Sequence, residues 1–165
     1  MSETVRITGG CQCGAVRYAL REQPTGAHIC HCRMCQKAFG SFFAPLAGVP
    51  MKAFEVTRGA LSIFRSSDQT ERGFCKACGT PLTFHYIGRD RIAVSIGSLD
   101  EPAKIPPINQ YGIESRLAWF GTLPSLPGDL TTEQDAPELA QKIAASSHQH
   151  PDHDTPAWPP ALETR

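Results

Sequence analysis

The sequence predicts a mainly β domain with antiparallel sheets packed face to face, and three observations carry that prediction. Runs rich in β-branched and aromatic residues recur over roughly the first 120 residues, each only a few residues long. Glycine, proline or polar turns bound those runs. Cysteines fall in tight clusters with glycine beside them, a local pattern suited to turns that hold a metal.

Taken in order, residues 5–8 and 15–20 read as two early strands with the first cysteine cluster between them. Residues 33–39 read as a helical turn, closed by Gly40 in the position where glycine commonly ends a helix. Strands are expected over 41–47, 61–65, 82–86 and 92–98, with residues 108–113 adding another. After Phe120 the composition shifts toward proline and histidine. Residues 137–146 are expected to form one short helix with Pro137 in its first turn, and the chain from Ser147 onward reads as a mobile tail. The organisation expected is a metal-binding domain over residues 1–123 and a C-terminal extension over 124–165.

Length and composition limit the function classes. At 165 residues and 41% hydrophobic residues the chain buries a core unaided, so metal reinforces that core and does not replace it. Lysine plus arginine equals aspartate plus glutamate at 16 each, which supplies no general field for nucleic acid or anionic membrane. No stretch approaches the ~20 apolar residues of a membrane span, and the first residues lack an apolar signal-type block. A soluble, cytoplasmic protein is the expectation. In a reducing compartment, closely spaced cysteines are metal ligands or redox groups more often than disulfides.

All seven cysteines lie in three clusters: Gly9-Gly10-Cys11-Gln12-Cys13-Gly14, Cys30-His31-Cys32-Arg33-Met34-Cys35, and Phe74-Cys75-Lys76-Ala77-Cys78-Gly79. Two thiolates approach one zinc at ~2.3 Å each, and a separation of one to three residues lets a tight turn present both. The flanking glycines permit positive φ and let backbone N–H groups approach the sulfurs. Disulfides would strand one cysteine, and no βαβ context surrounds a redox C-x-x-C. Iron also suits four tetrahedral sulfurs; zinc is the reading adopted. Seven ligands divide as four plus three. The outer clusters, Cys11, Cys13, Cys75 and Cys78, would close a structural site across a long loop. Cys30, Cys32 and Cys35 form a tripod with one coordination position left for water or an incoming ligand. His28 or His31 is the alternative fourth ligand that would close this second site.

The runs GGCQCGAVRY, CHCRMCQKAFGSFFAPLAG, RGFCKACGTPLTF and SRLAWF resemble the glutathione-dependent formaldehyde-activating enzyme family, whose domain is shared with centromere protein V. The resemblance covers roughly residues 9–120 and includes every cysteine in order and spacing. It implies a mainly β fold of β-tent type, built from packed antiparallel sheets. It implies two zinc ions per chain: a structural one on Cys11, Cys13, Cys75 and Cys78, and a catalytic one on Cys30, Cys32 and Cys35. The implied activity is that of a carbon–sulfur lyase, joining glutathione and formaldehyde into S-(hydroxymethyl)glutathione. The partners are then a small thiol and an aldehyde, with neither nucleic acid nor membrane.

A thiol carrying carboxylates calls for arginine or lysine at the mouth of its site, and Arg33, Lys37, Arg58, Arg65 and Arg72 are the candidates. Each, taken singly, reads more readily as a solvated surface charge. The competing class is a non-enzymatic zinc module for a protein or chromatin partner, with its cysteines serving the fold alone. Trp119 and Phe120 suit an interface anchor or a buried core. His148, His150, Asp152, His153 and Asp154 offer only weak, untethered chelation, and His85 reads as exposed or hydrogen-bonded.

Overall fold

The computed structural model describes residues 5–130 and 136–158. Residues 1–4 of the expected first domain, and residues 131–135 and 159–165 of the expected extension, lie outside the described residues.

The strands are β1 (Ile7–Gly10), β2 (Arg17–Leu20), β3 (Thr25–Cys30), β4 (Ala44–Pro50), β5 (Phe54–Arg58), β6 (Ser62–Ser67), β7 (Thr70–Phe74), β8 (Pro81–Tyr86), β9 (Arg91–Ser95) and β10 (Asn109–Tyr111). They form a three-stranded sheet, β1-β2-β5, and a seven-stranded sheet, β10-β3-β4-β9-β8-β7-β6. Pairings are antiparallel except β10 on β3, which is parallel. The fold is therefore mainly β, as the short apolar runs predict. Helix α1 (Arg33–Phe39) spans the predicted residues and ends at Gly40, which adopts φ 58°. Helix α2 (Pro137–Ala145) lies beyond the sheets in sequence and opens with Pro137. Among the described residues no helix is long and apolar enough to cross a membrane.

Three strands go beyond the predicted set: β3, β5 and β7. The strand expected over 92–98 stops at Ser95, where Ile96–Ser98 forms a 3-10 turn. That turn brings Leu99 into a bridge with Gly9, and Asp100 N–H donates to Thr8 O at 3.0 Å. The small sheet is thereby tied to the end of the large one.

The main core contains Tyr18 and Leu20 of β2, Ala47 and Val49 of β4, Leu82 of β8, and Ile92 and Val94 of β9. A second, smaller cluster holds Cys35, Ala44 and Leu46, with Phe84 and Ala93 packed against it. Successive strand residues point to opposite faces. Ala47 and Val49 thus serve the main core from β4 while Leu46 faces the smaller cluster, and Ala93 alternates likewise with Ile92 and Val94 on β9. Each cysteine group reaches into a cluster, Cys11 and Cys75 into the main core and Cys35 into the smaller one.

Candidate metal centres

The first centre is built from two turns. After β1 the chain reverses with Gly14 N–H donating to Cys11 O at 3.0 Å and Cys11 N–H to Val16 O at 2.9 Å. Between β7 and β8 a matching turn is closed by Gly79 N–H to Cys75 O at 2.8 Å and Cys75 N–H to Thr80 O at 3.0 Å. A bond from Gln12 N–H to Thr80 Oγ1, 3.1 Å, joins the two turns. Four sulfurs, of Cys11, Cys13, Cys75 and Cys78, come within 4.8 Å of one another. The Cys11–Cys13 and Cys13–Cys75 sulfurs stand 3.6 and 3.9 Å apart. Tetrahedral ligation at ~2.3 Å per bond requires about 3.8 Å between sulfurs, so this set fits zinc. Val16 N–H donates to Cys11 Sγ at 3.2 Å, and the Thr80 hydroxyl lies 3.2 Å from Cys78 Sγ.

The second centre is local. Cys30 ends β3, Cys32 caps α1, and Cys35 occupies the first turn of that helix. Their sulfurs form a group of three within the same 4.8 Å limit. Gly112, at φ 64°, lets the chain after β10 press against Cys32: a Cβ there would stand 2.7 Å from Cys32 N. His31 N–H donates to Tyr111 O at 2.8 Å, and the Gln36 amide donates to His31 O at 2.8 Å and Ser115 O at 3.1 Å. Neither His28 nor His31 joins the three sulfurs among the described residues. His28 Nδ1 sits 2.8 Å from Gly26 O, and buried His31 places Nε2 3.0 Å from Gln110 Oε1. The donor set is three thiols, soft ligands that suit zinc.

Charge makes the case for a cation at both centres. Burial pushes the Cys11 and Cys30 thiols up to about 12, and it raises Cys13 and Cys35 as well. One thiol in each group goes the other way. Burial opposes ionisation of Cys78, yet hydrogen bonds from Thr80 bring it down to about 6. Cys32 is lowered despite burial by hydrogen bonds from the Cys35 backbone and from Cys30 and Cys35, with Arg72 adding positive charge. Crowded sulfurs cannot all ionise side by side without a positive ion between them.

A cleft of about 610 Å³ runs along helix α1, with Arg33, Met34, Lys37, Phe64, Arg72 and Phe74 in its walls; Arg72, which donates to Cys35 Sγ, connects it to the second centre. Of the five candidate cations, Arg33, Lys37 and Arg72 line it. Arg58 instead donates to Gly14 O at 3.3 Å and to Thr155, and Arg65 lies on β6 opposite Glu71. Trp119 and Phe120 join Phe42, Phe43 and His31 in an edge-to-face cluster, with Trp119 48% exposed. His85 lies between Glu71 Oε1, 3.1 Å, and Arg89 O, 3.0 Å. These two acceptors, the backbone carbonyl foremost, raise its pKa.

Sequence reasoning passed over Thr80, Gln36 and Gly112, whose roles depend on partners distant in the chain. It also assigned no contact to residues 150–158. His150 is buried on Gly14, where a Cβ would meet its ring at 2.1 Å, and its N–H donates to Gln12 O at 2.7 Å. Trp158 Nε1–H donates to Cys13 O at 2.5 Å, and Asp154 accepts from Arg6 at 2.7 Å and Arg17 at 2.9 Å. This segment therefore lies over the turn that carries Cys11 and Cys13.

The family described as glutathione-dependent formaldehyde-activating enzyme matches residues 6–114. A protein of Emericella nidulans bearing that family's name is 32% identical over 94 residues, 54% of this chain and 46% of its own length. One of Phaeosphaeria nodorum with the same name is 32% identical over 81 residues, 48% of this chain and 40% of its own length. The chain thus spans less than half the length of these relatives. The crystal structure of a Rhodobacter sphaeroides protein superposes with a TM-score of 0.51 at 23% identity, covering 62% of this chain and 98% of that one. At that identity the likeness speaks for the fold alone.

Proposed function

Because this chain belongs to the glutathione-dependent formaldehyde-activating enzyme family, we propose that it is a zinc-dependent carbon–sulfur lyase that joins a small thiol such as glutathione to an aldehyde. It works in a reducing compartment, the cytoplasm, where free thiols persist. Cys30, Cys32 and Cys35 form the reactive centre, and Cys11, Cys13, Cys75 and Cys78 the structural one. The observation that carries this reading is the three-sulfur group, which has no fourth protein ligand among the described residues and lies beside a cationic cleft.

Zinc at this centre supplies, when bound, the positive charge that keeps a substrate thiol ionised near neutral pH. The chain's residues do the rest. Met34, Phe64 and Phe74 provide apolar walls for the cleft. Arg33 and Lys37 stand at its helical side and attract carboxylates of the thiol. The substrate sulfur attacks the carbonyl carbon, the C=O π pair moves onto oxygen, and that oxygen takes up a proton to give a hemithioacetal. The reverse steps release the aldehyde.

The test is consumption of formaldehyde with glutathione by the zinc-loaded protein, measured against a protein-free control because the addition also proceeds unaided. A rate above that control, lost in Cys32→Ser, supports the lyase. Full zinc at both centres with no acceleration favours a non-enzymatic zinc module.

A further inference from the structure

Arg72 stands apart from the other cations of the cleft because it is buried, 7% exposed, in the middle of β7. Its guanidinium is held on three sides. Nε donates to Ser66 Oγ at 3.3 Å, Nη2 donates to Cys35 Sγ at 3.5 Å, and the central carbon lies 4.9 Å from the centre of the Phe84 ring. The remaining amine, Nη1, is buried and has no hydrogen-bond partner among the described residues. A buried charged donor without an acceptor is costly, and a native fold keeps one where something else supplies the acceptor.

The cleft walls do not supply it. Their side chains include Arg33, Lys37, Ser66 and Thr83, and no carboxylate among the described residues. A ligand oxygen in the cleft would complete the set, and the cationic lining favours an anionic one. A carboxylate pairs best with two parallel donors of one guanidinium. Here Nε and Nη2 already donate to Ser66 and Cys35, so the side-on fork is taken and Nη1 is the amine without an acceptor. A single oxygen that gains charge during reaction is enough to satisfy Nη1.

We infer that Arg72 is a catalytic residue of the proposed thiol–aldehyde reaction, donating from Nη1 to the carbonyl oxygen as it becomes an alkoxide. The inference rests on that proposed chemistry. The bookkeeping is closed: a sulfur lone pair forms the S–C bond, the π pair becomes the oxygen charge, and solvent returns the proton given up by the thiol. Arg72 supplies no proton and stays a guanidinium throughout. Its value lies in being desolvated and fixed before the charge appears.

The test compares wild type, Arg72→Gln and Arg72→Lys, each loaded with zinc, using glutathione and the carboxylate-free thiol 2-mercaptoethanol. Expected is a fall in kcat of about 100-fold in Arg72→Gln with both thiols, partly restored in Arg72→Lys. Cobalt-substituted Arg72→Gln should bind 2-mercaptoethanol within about threefold of wild type, showing that thiol binding does not depend on Nη1. A loss confined to KM for glutathione would make Arg72 a carboxylate anchor and overturn the inference, as would an unchanged kcat. If Arg72→Gln fails to fold, Ser66→Ala frees Nε and should lower kcat about fivefold at unchanged metal content; no change there would also overturn it. A wild-type protein no faster than the protein-free control removes the lyase reading itself, an outcome distinct from an active enzyme indifferent to Arg72.

Discussion

Cys11, Cys13, Cys75 and Cys78 come from two turns 62 residues apart, whereas Cys30, Cys32 and Cys35 come from six consecutive residues. The ligand atoms are the same, and the surroundings differ. Cys75 is 1% exposed and packs in the main core, so a metal held by its group would close a long loop. The three-sulfur group instead hangs on the end of β3 and the start of α1, elements already fixed by β4 and by Gln36. With metal bound, the first centre would belong to how the chain folds, and the second would sit on elements held by other contacts. The difference teaches that chain separation of ligands, more than their number, sets what loss of metal does.

Mutation of one ligand in each centre gives the largest contrast. Cys75→Ser should abolish or severely weaken cooperative folding, by about 4 kcal/mol or more, because metal, loop closure and a core side chain fail together. Cys32→Ser should release one metal equivalent at a cost near 1 kcal/mol, read as a melting shift of about 3 °C. Equal shifts in thermal melts would erase the distinction. Gly112→Ala should act on the second centre alone. Its positive φ and a Cβ only 2.7 Å from Cys32 N force the chain away, costing about 2 kcal/mol, with earlier loss of one metal to chelator.

Smaller effects probe the first centre from outside. Removing residues 147–165 takes Asp154 from Arg17 and the indole N–H from Cys13 O. Metal should then leave the four-sulfur centre faster, with a stability loss of about 1–2 kcal/mol and no change at the three-sulfur centre. Mild acid should do part of the same. Burial, with Arg17 and Arg58 nearby, holds the His150 pKa below its ordinary 6.5. The unfolded chain takes up that proton at the ordinary value and the folded chain only at lower pH. Stability from this segment is therefore full above about pH 6.5 and falls as pH drops toward the folded pKa. Trp158 fluorescence in a Trp119→Phe background reports it, and His150→Gln should flatten the response.

Much of this was legible in the chain, and the failures have physical causes. Helix α1 announces itself because Gly40 offers the left-handed cap that ends it. The pairing of sulfurs within each cluster follows from their spacing, since tight turns leave little freedom in where they point; that the outer clusters meet depends on contacts between distant turns. Strand β7, Thr-Glu-Arg-Gly-Phe, hides because two charged residues and a glycine deny it the apolar look of a strand. Arg72 is buried there because Ser66, across the β6–β7 hairpin, and Phe84 and Cys35, farther along the chain, receive it. Strand β3 carries Gly26 and His28 and pairs in parallel with β10, a partner some 80 residues away that no local pattern reveals. The segment over Gly14 is likewise a matter of shape: His150 fits where a glycine leaves room.

The central claim is that one centre is closed and the other accepts a ligand, and cobalt reports this directly. In the doubly cobalt-substituted protein, thiolate charge-transfer and d–d bands arise from both centres. Titration with glutathione should change the bands of the Cys30, Cys32 and Cys35 centre only, leaving the spectrum of Cys32→Ser, which retains the four-sulfur ion, unmoved. A glutathione response that persists in Cys32→Ser, or none in wild type with both ions bound, would contradict the account.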